Sequence, residues 1–402
     1  MTARPIGVGV LGVGWMGRLH ARSYRAVPER YPELEVAPRL VLAADPDPRN
    51  AREAVERLGF GRAVADPAAV LADPEVDVVS ICSPNALHRE LAVAAAEAGK
   101  PFWIEKPMGR GAAESAAIVA AAERAGVVTA VGFNYRHAPA VVRARQLVQE
   151  GAIGRVTHLH VRLLADYAAD PRGALTWRFQ RAHAGTGVLG DLLSHGIDLA
   201  HCFAGPMTSV TGLTQIVHAE RPRPDSAAAG HFSTGTGELG PVENEDYAAF
   251  LGRFEGGAVG TFEASRVDVG PRNEYVLEVF GTRGSIRWDF ERMNELQVAL
   301  AEDRRGLLGT TRVLAGPGFG EFGRFQPGAG VGMGFDDLKV IEAAQFLRSV
   351  LTGVQCAPSV QDGLAAAEVA SAVERSAETA AWVDVPAPRE GVTFGRTEVS
   401  RP

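Results

Sequence analysis

Short apolar runs alternate with alanine-rich helical segments over the first 130 residues. The runs that predict strands lie at residues 6–11, 40–44, 76–81, 102–104 and 127–131. The segments that predict helices lie between them, at residues 15–27, 51–58, 87–98 and 112–125. Strands that alternate with helices of this length are typical of a parallel sheet in a doubly wound α/β domain.

The pattern changes after about residue 138, where strand-like runs begin to follow one another directly. Helices are predicted at 141–149 and 188–203, and two more close the chain at 336–351 and 363–380. Strands are predicted at 155–164, 208–217, 247–254, 258–265, 275–281 and 285–289. Consecutive strands favour a large, mainly antiparallel open sheet in an α+β domain. The predicted domains are therefore 1–136 and 137–385, followed by a C-terminal tail at 386–402.

Two long stretches rich in glycine and proline interrupt this second domain, at 221–242 and 306–334. Loops of this length inside a compact domain are usually lids or contact arms, and otherwise are disordered. Their composition does not decide between these roles, so the part they play in recognising a ligand stays open at this point.

Composition and charge exclude several classes of function. The 402 residues include 41 basic and 48 acidic side chains, a net charge of −7, whereas a nucleic-acid binder normally has a basic face. No apolar run is long enough to span a membrane, and the N-terminus lacks the pattern of a signal peptide. Three distant cysteines, Cys82, Cys202 and Cys356, suit a reducing compartment and predict a cytoplasmic protein.

A glycine-rich turn follows the first predicted strand, with the sequence Gly12-Val13-Gly14-Trp15-Met16-Gly17. The first glycine allows a tight turn, the second lets backbone approach a pyrophosphate, and the third lets the helix pack on the strand. The N-terminus of the following helix adds free N–H groups and a positive dipole end. This context predicts a dinucleotide-binding site.

The second strand ends at Asp45, 33 residues after Gly12 and further than the usual distance of about 20. A proline-bearing insertion at 28–38 accounts for the excess. A carboxylate here would accept hydrogen bonds from the adenosine ribose and repel a 2′-phosphate, which favours NAD over NADP. The alternative is that Asp45 caps a helix. Arg49 keeps NADP as the less favoured cofactor.

Lysine is almost absent: Lys100, Lys106 and Lys339 are the only three among the 41 basic residues. An arginine cannot replace a compact, titratable amine, so these three positions are candidates for special roles. Lys106 follows the strand at 102–104, at the edge of the sheet where ligands of doubly wound folds bind. Its ammonium could bind a substrate oxygen whose charge changes during hydride transfer. The alternative is a salt bridge to Glu105.

Asp191, His195 and Asp198 lie at helical spacing in the segment 188–203, which would place all three on one face. A carboxylate one turn from an imidazole orients it and raises its basicity, so His195 is the candidate general base. Two alternatives are a metal held by the three side chains and a hydrogen-bonded buried polar cluster. The spacing provides no further ligand, and no metal is predicted.

Taken in order, these motifs resemble those of the Gfo/Idh/MocA oxidoreductase family. The matching stretches are Gly12–Gly17, Ser83-Pro84-Asn85-Ala86-Leu87-His88, Glu105-Lys106-Pro107, Gly132-Phe133-Asn134-Tyr135-Arg136, and Asp191 with His195. Trp177-Arg178-Phe179-Gln180 and the region 280–290 are most similar to levoglucosan-dehydrogenase-like and inositol-dehydrogenase-like members. The resemblance implies a Rossmann domain followed by an open-sheet domain for substrate binding and oligomerisation.

The resemblance also implies roles for individual residues. Lys106 would polarise the reacting hydroxyl, His195 would take its proton, and Asp191 would support both. The implied cofactor-binding residues are Gly12, Gly14, Trp15, Met16, Gly17, Asp45, Ser83, Pro84, Asn85, His88, Glu105, Lys106, Asn134, Trp177 and Arg178. The implied substrate-binding residues are Lys106, Tyr135, Arg136, Asp166, Asp191 and His195, with Tyr167 as a further sugar ligand.

The expected function is an NAD-dependent dehydrogenase that oxidises a ring secondary hydroxyl of a sugar, anhydrosugar or cyclitol. Its expected partner is that small molecule, with neither nucleic acid nor membrane, in a homodimer or homotetramer. One alternative is a glycoside-cleaving enzyme that oxidises its substrate transiently and then eliminates. Another is a non-enzymatic NAD-sensing regulator on the same fold.

Overall fold

The computed structural model describes residues 3–225, 233–301, 309–389, 392 and 394. Its first sheet has six described strands, all parallel, which lie in the order β3-β2-β1-β4-β5-β6. The strands are β1 (Arg4–Leu11), β2 (Val36–Ala44), β3 (Arg62–Val64), β4 (Val78–Ile81), β5 (Phe102–Ile104) and β6 (Thr129–Val131). This order reverses between β1 and β4, and ligands of such sheets bind outside the carboxyl ends of the strands at that reversal.

Helices connect these strands: α1 (Trp15–Arg30), α2 (Pro48–Glu53), α3 (Pro67–Ala72), α4 (Asn85–Glu97) and α5 (Ala112–Ala125). The predicted doubly wound α/β fold is confirmed. β3 and α3 were not predicted because each is too short to show a clear period. α1 also continues through Pro28, which the sequence had placed after the helix, and ends at Arg30.

The second sheet has nine described strands in the order β16-β15-β14-β13-β7-β12-β11-β8-β17. Neighbouring strands are antiparallel except β7 and β12, which run parallel. Its members are β7 (Val156–Ala165), β8 (Met207–Gln215), β11 (Tyr247–Phe254), β12 (Val259–Ser265), β13 (Asn273–Gly281), β14 (Gly284–Asp289), β15 (Glu295–Leu300), β16 (Thr311–Leu314) and β17 (Val383–Asp384). The predicted mainly antiparallel sheet is confirmed.

Helices and a small hairpin complete this half of the chain. The helices are α6 (Pro139–Gln149), α7 (Arg181–Ala184), α8 (Val188–Asp191), α9 (Leu193–Ala204), α10 (Phe335–Thr352) and α11 (Val360–Thr379). The hairpin pairs β9 (Glu220–Pro222) with β10 (Leu239–Pro241) inside the stretch predicted as a loop at 221–242. Residues 226–232 of that stretch and 306–308 of the other lie outside the described residues, as does most of the tail.

The last helices return to the first sheet. α10 packs on α1, and α11 packs on α5, α9 and β8, so the end of the chain contacts both sheets. A large hydrophobic core runs through both halves, and a separate small cluster contains Ala168, Leu175, Phe179 and Val242. The boundary at residue 385 stays a prediction.

The structure bears on two expectations, the absence of a membrane-spanning helix and the absence of a disulfide. Among the described residues, none of the helices combines the length and apolar character needed to cross a membrane. The three cysteines all fall within the described residues and form no disulfide. The cytoplasmic location stays a prediction.

Candidate active site

The glycine turn has the geometry that a phosphate site requires. Gly12 has φ +91°, a conformation that favours glycine, and a Cβ on Gly17 would lie 1.9 Å from the Gly12 carbonyl oxygen. At Gly14, by contrast, no atom of the described chain lies within 4 Å of an ideal Cβ position. The first and third glycines therefore serve the turn and its packing, whereas the second leaves an open surface at the N-terminus of α1.

The first residues of α1 lie at the edge of this surface. The Trp15 side chain is 67% exposed, and its ring stacks on that of Phe335 with 5.8 Å between the centroids. Met16 is half-buried. Phe335 begins α10, so a helix from the end of the chain covers one side of the turn. Sequence analysis missed this contact, because the two residues are more than 300 positions apart.

Asp45 lies at the end of β2 and supports the turn directly. Its Oδ2 accepts a hydrogen bond from the Val13 N–H at 2.7 Å, and its Oδ1 accepts from the Asp47 N–H at 2.9 Å. The alternative that Asp45 caps the next helix is wrong, because Asp47 is the cap of α2. Asp47 also pairs with Arg49 at 2.8 Å, which occupies the guanidinium that could favour NADP.

The His88 side chain connects the loop after β4 to the loop that follows Lys106. The His88 ring lies between two carbonyl oxygens, with Nδ1 2.9 Å from that of Pro107 and Nε2 2.9 Å from that of Ser83. Pro84 caps α4, and the Asn85 amide donates to the Ala184 carbonyl at 3.0 Å. The predicted cofactor residues of this segment therefore stand beside β5, where Lys106 begins its loop.

Lys106 joins the two halves of the chain. Its Nζ donates to Asp191 Oδ1 at 2.9 Å and to the Asp191 carbonyl oxygen at 3.0 Å. The Tyr167 hydroxyl donates to the other carboxylate oxygen of Asp191 at 2.9 Å. Burial, and then the charge of Asp191, raises the pKa of Tyr167 well above its usual range, so the phenol keeps its proton. The alternative salt bridge between Lys106 and Glu105 is not what the structure shows.

His195 lies near this group in an aromatic surrounding. It is 7% exposed, and its ring centroid is 4.4 Å from that of Tyr135 and 5.8 Å from that of Phe133. Its buried Nδ1 finds no hydrogen-bond partner among the described residues. Burial, followed by the charges of Lys106 and Lys339, holds its pKa well below 6.5. The imidazole is therefore neutral at pH 7 and able to accept a proton.

The predicted single helix that carries Asp191, His195 and Asp198 is wrong, because Asp191 ends α8 whereas His195 and Asp198 lie in α9. The predicted helix at 188–203 is interrupted between α8 and α9, at Leu192. The Asp198 carboxylate instead accepts from Arg136 Nε at 2.7 Å, and the same guanidinium binds Asp362 at 2.8 Å. The described part of the chain contains no cluster of three or more possible metal ligands.

Arg136 and Glu105, both predicted at the site, bind other charged groups than Lys106 and His195. Arg136 is buried between its two carboxylates. Glu105 is buried, with Oε1 2.9 Å from His20 Nε2 and 2.5 Å from Lys339 Nζ. Asn134 is also buried, and its Nδ2 meets no hydrogen-bond partner in the described residues.

The segment between β7 and α7 supplies the other predicted site residues. The Arg178 guanidinium lies 4.5 Å from the centroid of the Trp177 ring, and both side chains are half-buried. Asp166 forms an ion pair with Arg272. Phe179 holds the segment in place through two cation–π contacts. The buried guanidinium groups of Arg221 and Arg266 lie 4.5 and 4.4 Å from the centroid of its ring.

Comparison with known proteins now identifies the family. Residues 6–133 match the protein-family model for an oxidoreductase family with an NAD-binding Rossmann fold, and residues 141–287 match the GFO/IDH/MocA C-terminal domain. The chain belongs to the Gfo/Idh/MocA family. The predicted family is thereby confirmed, and with it the NAD cofactor of its first domain.

Members of the Gfo/Idh/MocA family that act on sugars and cyclitols are among the most similar proteins. A levoglucosan dehydrogenase of Pseudarthrobacter phenanthrenivorans is 38% identical over 383 residues, which cover 95% of this chain and 98% of that protein. A scyllo-inositol 2-dehydrogenase (NAD(+)) of Bacillus subtilis is 31% identical over 280 residues, 69% of this chain and 72% of that protein.

A solved structure supports the same placement. Levoglucosan dehydrogenase in complex with NADH and levoglucosan is similar to this chain with a TM-score of 0.89 and 38% identity. The match covers 96% of this chain and all of that one. The protein is therefore an oxidoreductase of a family that includes NAD-dependent sugar and cyclitol dehydrogenases.

Proposed function

We propose that this protein oxidises one ring secondary hydroxyl of a sugar, anhydrosugar or cyclitol to a ketone, or reduces that ketone. The observation that carries the proposal is the contact between Lys106 and Asp191. Lys106 follows β5 of the NAD-binding sheet, and Asp191 ends α8 of the second half. The two side chains are 19% and 33% exposed, so a small molecule can reach the pair.

The residues present fit a bound NAD. The open surface at Gly14 leaves room for a pyrophosphate, which the free N–H groups of α1 would bind. Asp45 holds the turn through Val13 and, in this proposal, also accepts from the adenosine ribose. The unpartnered buried hydroxyl of Ser83, among the described residues, marks a further polar group at this edge of the sheet.

The proposed mechanism assigns one task to each side chain. Lys106 donates a hydrogen bond to the reacting oxygen and stabilises the negative charge that develops there. His195, neutral because its pKa is lowered, accepts the hydroxyl proton. Asp191 holds the ammonium in place with the help of Tyr167. NAD supplies the acceptor for the hydride that leaves the same carbon.

Aromatic rings favour a compact ring as the substrate. Tyr135 packs against His195 at 4.4 Å and against Phe290 at 4.7 Å, and Phe290 lies 6.3 Å from Phe335. This row runs from the proposed base towards the glycine turn. Ligand sites typically combine such apolar walls with a few placed polar groups, which matches the apolar C–H face and hydroxyls of a sugar or cyclitol. The similarity to levoglucosan dehydrogenase supports testing anhydrosugars first.

Absorbance of reduced nicotinamide tests the proposal. We expect a signal with NAD and one class of ring among monosaccharides, anhydrosugars, inositols and glycosides, and a much weaker signal with NADP. Consumption of glycosides without net reduced cofactor would contradict the proposal and favour the glycoside-cleaving alternative. Binding of NAD with no turnover of any ring compound would favour the regulator.

The expected assembly is proposed on the family resemblance alone. For a homodimer or homotetramer, analytical ultracentrifugation would give a mass of about two or four chains of this length. A single species at the mass of one chain would contradict it.

A further inference from the structure

A cluster of buried ionisable side chains includes Glu105, which precedes Lys106 in the chain, and the proposed reaction does not use it. Its members come from three distant parts of the chain: His20 of α1, Glu105 after β5, and Lys339 with Glu342 of α10. Lys339 is 1% exposed, although lysine is one of the residues least often buried. We call these four residues the Lys339 cluster.

Lys339 is the centre of the cluster. Its Nζ lies 2.5 Å from Glu105 Oε1 and 2.8 Å from Glu342 Oε2, and 5.4 Å from the centroid of the Trp103 ring. His20 binds the same oxygen of Glu105 from the other side, at 2.9 Å. The Glu105 carboxylate is further enclosed by Gly132, where a Cβ would lie 2.6 Å from Oε1. Glu105 is thus fixed in one orientation.

The protonation states leave one ion of each sign in the cluster. Burial alone would raise the pKa of Glu105, but Lys339 and His20 outweigh it and hold that pKa well below its usual range. Burial raises the pKa of Glu342 to about 8 and lowers that of His20 to about 4. At pH 7 the cluster therefore contains an ionised Glu105, a protonated Lys339, and largely neutral Glu342 and His20.

The cluster is connected to the proposed site in two ways. Glu105 directly precedes Lys106 in the chain, so a fixed Glu105 fixes the start of the loop that presents the ammonium. The Lys339 charge also acts on His195, where it is the second cation, after Lys106, that lowers the pKa. The other groups that act on or face His195 are Glu105, Asp191, Tyr135 of the segment 134–137, and Tyr275 of β13.

We propose that Lys339 is a positioning residue of the same reaction: through its contact with Glu105 it sets the place of Lys106. This inference rests on the proposed function for the roles of Lys106 and His195. A purely structural bond between α10 and the sheet would not need ions, because apolar residues of similar volume can replace a buried ion pair without loss of stability.

The test uses the full chain with NADH bound and the substitution Lys339→Met. The His195 resonance in ¹⁵N-histidine spectra, assigned by its absence in His195→Gln, reports the imidazole pKa without any turnover. We expect that pKa to rise, because a cation that lowers it is removed. We also expect kcat to fall by roughly tenfold or more, with a smaller change in the KM for NAD, since Lys106 is displaced rather than lost.

Two further variants make the result decisive. Arg348→Met removes another cation of α10, which pairs with Glu33 at 3.7 Å on the surface, and should leave the His195 titration and kcat unchanged. Because Lys339→Met leaves Glu105 without its main partner, the variant can fail to fold; the double variant Lys339→Met with Glu105→Gln then removes both charges. We expect the double variant to fold, with kcat still reduced and the His195 pKa still raised, by a smaller amount.

Wild-type values of both the His195 pKa and kcat in a folded Lys339→Met chain, or in the double variant, would overturn the proposal. Failure of the proposed function looks different. In that case the wild-type protein oxidises no ring compound, yet the His195 titration still decides whether the Lys339 charge reaches the imidazole.

Discussion

The Lys106 ammonium meets Asp191 twice, at 2.9 Å from carboxylate Oδ1 and at 3.0 Å from the backbone carbonyl oxygen. One partner belongs to the region that matches the NAD-binding family model and the other to the region that matches the C-terminal domain. Because one acceptor is backbone, Asp191→Asn would retain a hydrogen bond to Lys106 but lose the charge that stabilises it.

Removal of the Lys106 ammonium should abolish most turnover while the cofactor still binds. We expect Lys106→Met to lower kcat by about 10²–10³-fold, the typical effect of losing one donor to a developing oxyanion. Steady-state kinetics and NADH fluorescence titration measure the two effects. Lys100→Met is the matched control, since the partners of Lys100 among the described residues are the carbonyl oxygens of Asp73 and Val76, and its loss should affect stability rather than kcat. Wild-type kcat in Lys106→Met would refute the assignment.

Tyr167 should influence catalysis through Asp191. Tyr167→Phe removes the hydroxyl that donates to Asp191 Oδ2 at 2.9 Å, and we expect kcat to fall by roughly tenfold because one charge-assisted hydrogen bond is lost. Tyr247→Phe loses a comparable bond to Glu263, at 3.1 Å on the second sheet, and should keep full activity. Equal kcat values for the two variants would argue against the role of Tyr167.

The pH dependence should follow the lowered pKa of His195. Oxidation requires the neutral imidazole, so kcat/KM for oxidation should stay level as the pH falls through 6.5 and decline only below it. Ketone reduction requires the protonated imidazole, so its rate should increase as the pH falls. Rate profiles in both directions check these signs, with the exposed His183→Gln as control. A decline of oxidation that begins above pH 6.5 would contradict the assignment.

Two glycines of the turn should respond differently to the same substitution. Gly14→Ala places a methyl group where the described chain leaves open space, so the protein should fold normally and bind NAD much more weakly. Gly17→Ala places it 1.9 Å from the Gly12 carbonyl oxygen, so it should destabilise the fold itself. Thermal unfolding and NADH titration of both variants separate the effects. Unchanged NADH affinity in Gly14→Ala would show that the cofactor does not cross this surface.

Arg136 should matter for stability rather than for substrate affinity. Arg136→Met leaves Asp198 and Asp362 buried without their cation, and we expect a loss of about 3–5 kcal/mol in the free energy of unfolding. Arg143→Met, which breaks an exposed pair with Glu150, should change it by less than about 1 kcal/mol. Urea unfolding gives both values. A large rise in substrate KM at unchanged stability would restore Arg136 to the substrate site.

Local patterns were sufficient to predict the parts of the molecule that depend on neighbouring residues. The turn at Gly12–Gly17, the strand before Lys106 and the helix that contains His195 all follow from spacing within a few residues. The scarcity of lysine also marked Lys106 and Lys339 before any contact was known. Each of these signals is a property of the chain itself and needs no knowledge of how distant segments pack.

Other contacts depend on tertiary packing and could not be predicted. Lys339 reaches Glu105 across 234 positions, and no local pattern pairs them. Asp198 lies in α9 at the predicted spacing from His195, but its carboxylate accepts from Arg136, 62 positions away in the chain. β3 could not be predicted either, because its three residues are defined by their pairing with the end of β2 and not by a pattern of their own.

The small hydrophobic cluster that contains Phe179 has a consequence for local stability. Ala168, Leu175, Phe179 and Val242 pack together apart from the main core. Because these residues pack apart from the large core, substitutions in the segment 168–179 are expected to destabilise the protein locally rather than globally. Tyr167 packs against the same cluster and donates to Asp191, so a loosening of this small cluster would reach the Lys106–Asp191 pair through a single hydroxyl.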